Sequence, residues 1–413
     1  MNDLEILQRR DFLSGVAAIS LLGLAGCGGG GDGNNMTSGA NMGGGSGSPP
    51  VGVVSGGALR LPANFSGNTL SAAAGVYDLG AGAQSGALLF NGQWPSPLIR
   101  IPMGSALDIT LQNQLAESTN IHWHGLAAAS GMDGHPTELV APGTNKRYSF
   151  AVNERPGTYW YHPHPDRATA RQAYSGLAGL LIVDDGNDAA RGLPTGIRDI
   201  PLVLADKRVN NGALTYQPGI MDIMTGWLGN VITLNGLAGP VTAGAEPAII
   251  RLRLLNASNA RILNPALANG RSFWLIGTDG GLLAAPVPVN NLLLAPGKRA
   301  DILLDLRGDA GQTIRFVSAS FSSMGAGMMG FALPQGAAFD LLNIVLSGAT
   351  AMIAGSVPGS FAPIARYESA TAVVSRVFAL TTTNGMNGAL HRINNLTYDG
   401  ARIDFVARQG GLE

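Results

Sequence analysis

Two short stretches concentrate the residues best able to do chemistry. "IHWHG" at 121–125 carries His122 and His124, and "YWYHPHP" at 159–165 carries His162 and His164. The whole chain has 6 histidines, so most of its imidazole sits in two His-x-His pairs. In a strand, residues i and i+2 project from the same face, roughly 6.6 Å apart along the backbone. His122 and His124 therefore share one face, and Trp123 takes the other. The same alternation places His162 with His164, while Pro163 between them demands a strand edge or end. Two such pairs facing each other surround one small volume with imidazole. That donor set suits copper, zinc, iron or nickel. The i, i+2 spacing suits a cluster of two or three ions better than one mononuclear site.

The elements that must position these pairs read as strands. "LIRIPMGSALDITLQNQL" alternates apolar and polar positions around a Gly-Ser turn, as a half-buried hairpin should. "RYSFAV", "TYWYH" and "GLAGLLIVDD" continue the series to about Gly186. A second series runs from "IPLVLADKRV" through "AIIRLRLLNAS" and "NLLLAPGKRADILLDL" to near Ser347. Many short strands at close spacing predict β-sandwiches, not alternating βα units. An internal repeat strengthens this: "LFNGQWPSPLIRIPMGSALDITLQN" around Asn91 matches "TLNGLAGPVTAGAEPAIIRLRLLN" around Asn235, and a third copy starts around Asn394. The expected class is all-β, three related sandwiches in tandem, two complete and the third only begun.

Composition narrows the partners. Charged residues make up 13% of the chain and the formal net charge is −1, which leaves no basic footprint for nucleic acid. "QRRDFLSGVAAISLLGLAGC" runs from Arg9 and Arg10 into a short apolar stretch and ends at Cys27. The stretch is too short to span a bilayer and reads as a signal peptide over 1–27. "RRDFL" resembles a twin-arginine export signal, and "LAGC" resembles a lipoprotein box whose cysteine is lipidated. Cys27 is the chain's only cysteine, so no disulfide forms within it, and lipidation leaves no thiolate for a metal. Gly/Ser-rich residues 28–54 read as a flexible tether. The expected address is the bacterial cell envelope, periplasm or outer face, with membrane attachment only through Cys27. Oligomeric state is not legible.

The motifs "FNGQWPSP", "IHWHG", "MDGHP", Pro142–Gly143 and "GTYWYHPH" resemble, in order and spacing across 85–185, the first domain of multicopper oxidases, a family that includes laccases and bacterial cuprous oxidases. The resemblance implies cupredoxin-like Greek-key domains over 55–186 and 195–347, with 348–413 a connector and the start of another. It implies copper as cofactor, and O2 with a reducing phenolic or Cu(I) donor as reaction partners. By position, His122 would bind the type 2 copper, and His124, His162 and His164 the type 3 pair. Asp133 in "GMDG" matches an acidic residue that hydrogen-bonds near the cluster and helps deliver protons, a role suited to a carboxylate beside metal ligands. His135 and His391 are expected outside the ligand set. Tyr159, Trp160 and Tyr161 are expected to pack the sandwich. Met324, Met328 and Met329 in "SSMGAGMMGF" form a Met-rich segment of the kind thioether–Cu(I) chemistry favours, although a glycine-rich apolar loop is the simpler reading.

In the family, a third domain supplies further cluster ligands through His-x-x-His-x-His and His-Cys-His segments, together with the type 1 electron-entry copper. None of those segments occurs in this sequence. The interval from Asn394 to Glu413 is shorter than that from Asn91 to His122, so the sequence reads as truncated before those histidines are due. The chain alone is accordingly expected to hold half a cluster and to be inactive. Two non-catalytic alternatives share the fold: a copper-binding or copper-resistance protein, and a structural, division-associated envelope protein of the kind that has lost its copper histidines. A zinc amidohydrolase also begins with His-x-His, but it needs βα alternation that this chain lacks.

Overall fold

The computed structural model describes residues 57–80, 84–323, 333–348 and, with short gaps, 355–404. The signal peptide and tether expected over 1–54, with Cys27, lie outside the described residues, as do Met324, Met328 and Met329. Among the described residues no helix is long and apolar enough to cross a membrane.

Eight strands build a first sandwich: β1 (Thr69–Asp78), β2 (Gln84–Phe90), β3 (Ile99–Pro102), β4 (Ala106–Asn113), β5 (His122–His124), β6 (Asn145–Ala151), β7 (Gly157–His162) and β8 (Gly179–Asp184). One sheet has the order β2-β1-β4-β6 and the other β3-β8-β7-β5. Leu70, Ala72, Leu107, Ile109 and Leu111 from the first meet Trp123, Tyr159, Tyr161 and Leu181 from the second in one buried core. Each large apolar side chain so buried contributes roughly 1.5–3 kcal/mol. A six-residue helix α1 (Thr169–Tyr174) follows β7.

The hairpin expected around Met103–Ser105 does not form. β3 pairs with β8, whereas β4 pairs with β1 and β6, so the Gly-Ser turn carries the chain from one sheet to the other. Alternation reveals a strand's two faces but not which neighbour it will choose.

The second sandwich repeats this plan. Its sheets are β13-β12-β9-β15-β19-β17-β18 and β14-β21-β20-β16. The strands are β9 (Asp199–Lys207), β12 (Val231–Leu234), β13 (Leu237–Ala238), β14 (Val241–Ala245), β15 (Ile249–Asn256), β16 (Pro265–Leu267), β17 (Phe273–Thr278), β18 (Gly281–Val289), β19 (Arg299–Asp305), β20 (Thr313–Ser318) and β21 (Phe339–Leu346). The small pair β10 (Val209–Asn210) and β11 (Ala213–Leu214) and helix α2 (Ile220–Thr225) interrupt it. β1 runs parallel to β4 as β9 does to β15, and β3 parallel to β8 as β14 does to β21. A third copy of the opening appears as the hairpin β22 (Leu380–Gly385) and β23 (Gly388–Ile393).

One asparagine marks the same turn in all three copies. Asn91, Asn235 and Asn394 each have positive φ, a conformation asparagine tolerates better than most residues. Their side-chain oxygens accept the backbone N–H of Ser71 (2.7 Å), Val203 (2.7 Å) and Ala379 (2.8 Å). The repeat read from sequence is thus a repeat of hydrogen bonds.

The two sandwiches share a buried seam. Leu98, Trp160, Leu180 and Ile182 from the first pack against Val203, Ala205 and Leu255 from the second. Beside them lies a buried ionic group. Arg253 Nε donates to Asp199 (2.6 Å), Arg251 Nη1 donates to Asp188 (2.8 Å), and both guanidiniums reach Asp301. Thr158, from the first sandwich, donates to Asp301 (2.5 Å). Buried charges persist only when paired in this way.

Candidate metal centre

All six residues of β7 are buried, because its sheet is covered on both faces. Tyr159 and Tyr161 point into the first core, as expected of packing residues. Trp160 and His162 alternate with them and face the seam. β5 is the edge strand beside β7, with His122 opposite His162, Trp123 opposite Tyr161 and His124 opposite Trp160. The two pairs are therefore neighbours on one face of one sheet, not sets facing each other across a gap. β7 ends at His162, where Pro163 has no N–H for the ladder, and His164 lies just beyond.

All four imidazoles converge. The His122 ring centroid lies 5.6 Å from that of His124, 5.3 Å from His162 and 5.2 Å from His164. One ligand atom each from His122, His124 and His162 lies within 4.8 Å of the others. Burial, the largest cause in each case, depresses the proton affinity of His124 to about pKa 4, of His162 well below the ordinary histidine value, and of His164 as well. At His124 the Arg299 charge adds to this and Asp279 opposes it. Neutral imidazole, the form that binds metals, is thereby favoured. His164 Nδ1 is buried without a hydrogen-bond partner among the described residues.

Neighbours fix the ring orientations. His122 Nδ1 lies 2.9 Å from the Asp133 carbonyl oxygen and 3.1 Å from its Oδ1. The carbonyl accepts the N–H, and Oδ1 is left without an aligned hydrogen bond. This turns His122 Nε2 toward the other rings. Burial raises the Asp133 carboxyl, while the His122 charge opposes the rise. His162 Nδ1 donates to the Pro163 carbonyl at 2.8 Å. Trp160 stacks on His162 with centroids 4.1 Å apart.

Asn120 escaped the sequence reading. It is fully buried, its Oδ1 accepts the His164 N–H (2.6 Å), and its Nδ2 donates to the carbonyls of Gly134 and His135 (both 3.0 Å). It therefore ties the Asp133 loop to the second histidine pair. Its position two residues before His122, just ahead of β5, was the available signal. Gly134 is required beside it: a Cβ there would sit 1.9 Å from the Ile121 oxygen. His135 is exposed and pairs with Thr137, and His391 pairs with Thr382 on the β22–β23 hairpin, so neither joins the cluster.

The second sandwich has the same frame without the donors. Ala266 stands opposite Val317, and Leu267 opposite Phe316, where β5 and β7 place His122 opposite His162 and Trp123 opposite Tyr161. Continuing that register, Ala268 and Ala319 occupy the places of His124 and His164. The second sandwich instead contributes a wall. An open cavity of about 410 Å³ beside His122 and His124 is lined on its far side by Asp279, Pro296, Gly297, Lys298 and Arg299.

Comparison with known proteins follows the same lines. A family model described as multicopper oxidase matches residues 74–188. A multicopper oxidase of Staphylococcus haemolyticus is 36% identical over 249 residues, 60% of this chain and 55% of that protein. The chain thus spans about half the length of the curated multicopper oxidases it matches. Cell division protein FtsP of Xenorhabdus nematophila is 32% identical over 328 residues, 78% of this chain and 67% of that protein. Among solved structures, the laccase-like multicopper oxidase CueO from Ochrobactrum sp. is similar with a TM-score of 0.75 at 30% identity, covering 86% of this chain and 80% of that one.

Proposed function

This chain belongs to the multicopper oxidase family, and we propose that His122, His124, His162 and His164 are its share of the ligands to a copper cluster. In the whole protein, a one-electron donor, a phenolic compound or Cu(I), would be oxidised while O2 is reduced to water. The observation that carries this reading is the mutual approach, within 4.8 Å, of ligand atoms from His122, His124 and His162. The fit is chemical as well as geometric, since burial favours neutral rings and His164 Nδ1 has no hydrogen-bond partner among the described residues.

Copper, when bound, supplies the capacity to take electrons singly and deliver them together to O2. The chain's own residues prepare the place. The Asp133 carbonyl holds the His122 proton on Nδ1, the Pro163 carbonyl does the same for His162, and Asn120 fixes His164. The Asp133 carboxylate stands where it can hold and pass a proton beside His122. The single cysteine, Cys27, precedes the first sandwich, so these 413 residues offer the sandwiches no thiolate for a separate electron-entry copper. By itself the chain is expected to bind copper without oxidase turnover. We further propose twin-arginine export, a lipid anchor on Cys27, and cupredoxin-like domains over 55–186 and 195–347.

A second reading, a non-catalytic envelope or copper-resistance protein, draws on one observation: the FtsP relative matches 78% of the chain, against 60% for the staphylococcal oxidase. The four converging imidazoles favour the copper reading. Loading the full chain with copper, removing excess with a chelator and following O2 uptake with a phenol and with Cu(I) separates them. Copper retained by the wild type and lost in His124→Ala supports the ligand assignment, and retention indifferent to His124 refutes it. O2 uptake by this chain alone would refute the half-cluster reading.

A further inference from the structure

Each imidazole of such a centre has an inward nitrogen for metal and an outward one that needs its own partner. His122 and His162 direct outward Nδ1 atoms to backbone carbonyls. His124 is turned the other way. Its Nδ1 points inward, 3.2 Å from His162 Nε2, so Nε2 is its outward atom, and that atom has no hydrogen-bond partner among the described residues.

The Cε1–Nε2 edge of the ring lies against Gly297, in the Pro296–Gly297–Lys298 turn of the second sandwich. A Cβ on Gly297 would lie 3.5 Å from His124 Cε1 and 4.0 Å from Nε2. The cavity at this turn is lined by both His124 and Asp279, and Asp279 is the one carboxylate among its lining residues. Asp279 is firmly placed. Its Oδ1 accepts the Arg299 backbone N–H (2.8 Å) and lies 2.9 Å from Arg299 Nη1, while Oδ2 lies 2.7 Å from Lys298 Nζ. The Arg299 side chain, 2% exposed, also donates to the carbonyls of Gly297 (3.0 Å), Asp279 (3.0 Å) and Thr158 (3.2 Å). Thr158 lies on β7, the strand that carries His162. One buried guanidinium thus locks together the turn against His124, the carboxylate and the neighbouring ligand strand. Each carboxylate oxygen has two lone pairs, which leaves Asp279 acceptor capacity, and the cavity has room for several waters at about 30 Å³ each.

We propose that Asp279 is a positioning residue for His124: a water in this cavity accepts the Nε2–H and donates to the Asp279 carboxylate, which keeps the proton on Nε2 and leaves Nδ1 as the ligand atom, with Arg299 holding the carboxylate in place. The second sandwich, which has no imidazoles at the matching positions, thereby serves the centre of the first. The inference rests on the reading of His124 as a copper ligand.

The test uses the full chain loaded with Cu(I), which is diamagnetic, and ¹⁵N-labelled at histidine. In the wild type, His124 should coordinate through Nδ1 and show an Nε2 proton in slow exchange with water. Asp279→Asn should speed that exchange and weaken Cu(I) retention against a chelator by 10–100-fold, and Asp279→Glu should recover most of the loss. A merely structural role would lower the Tm without changing the proton's exchange. Coordination of wild-type His124 through Nε2 overturns the proposal without any variant. Unchanged exchange and retention in Asp279→Asn, with His124→Ala still losing copper, overturns it while the ligand reading stands. Retention indifferent to His124→Ala overturns both.

Discussion

His124 Nδ1 and His162 Nε2 lie 3.2 Å apart, two ring nitrogens from adjacent strands aimed at each other. Because His162 Nδ1–H donates to the Pro163 carbonyl, His162 Nε2 is a lone pair. The contact is then either one N–H···N bond or two lone pairs awaiting a shared cation. The approach of His122 to the same place favours the cation.

That contact makes His124 and His162 interdependent. His124→Ala and His162→Ala should each weaken copper retention by more than about 100-fold, beyond the range for residues that only orient a ligand. The double variant should lose little more than either single one, because the two act as a unit. Chelator competition on the three variants gives the answer, and additive losses would mean that the rings bind separately.

Asp133 should matter less for holding copper than its charge suggests. The His122 N–H is already accepted by the Asp133 backbone carbonyl, and Oδ1 lacks an aligned hydrogen bond. Asp133→Asn should therefore cost less than about tenfold in copper retention, at the low end for a residue beside a ligand. A loss as large as that of His122→Ala would show that the carboxylate, not the carbonyl, orients the ring.

Asn120 should matter more than its distance from any metal suggests. Asn120→Ala strips partners from the His164 N–H and from the carbonyls of Gly134 and His135. Each buried group left unsatisfied costs about 1–3 kcal/mol. Urea unfolding should report a loss on the order of 3 kcal/mol, together with weakened copper retention. Full stability in this variant would mean that water replaces the amide.

Local patterns made the histidine pairs and the sandwich repeat legible. The i, i+2 spacing fixes which face His122 and His124 share, and the asparagine turns recur at Asn91, Asn235 and Asn394. Pairing partners were not legible: nothing in "IPMGSALDI" says that β3 joins β8 while β4 joins β1. Asn120 sat in plain view two residues before His122, but its hydrogen bonds run to loops that only folding brings near. Asp279 and Arg299, well over a hundred residues along the chain from His124, become its neighbours only when the sandwiches meet. A search for repeated imidazole passes over a wall made of glycine, aspartate and arginine.

A buried lysine at the seam gives a pH prediction remote from the histidines. Lys207 lies between the rings of Trp94 and Tyr174, at 5.2 and 4.5 Å, and donates to the Tyr174 carbonyl. Burial lowers it to about pKa 8, with Asp206 opposing the shift. In the unfolded chain it keeps its proton to about 10.4. Between these values the unfolded state binds more protons, so the lysine's burial cost is fully felt below pH 8 and is relieved as pH rises above it. Its contribution to stability should climb by at most about 1.4 kcal/mol per pH unit. Urea unfolding of wild type and Lys207→Met at pH 7.5 and 9.5 isolates this term. A stability difference between the two proteins that does not change with pH would show that the carbonyl and the ring faces keep the lysine charged.

The copper reading stands or falls on the four histidines of the first sandwich. Its most direct measurement is the copper retained by the full chain after chelator treatment, compared with the variant in which His122, His124, His162 and His164 are all alanine. The wild type should retain copper stoichiometrically and the variant none, with both folded by circular dichroism. Equal copper in the two would contradict it.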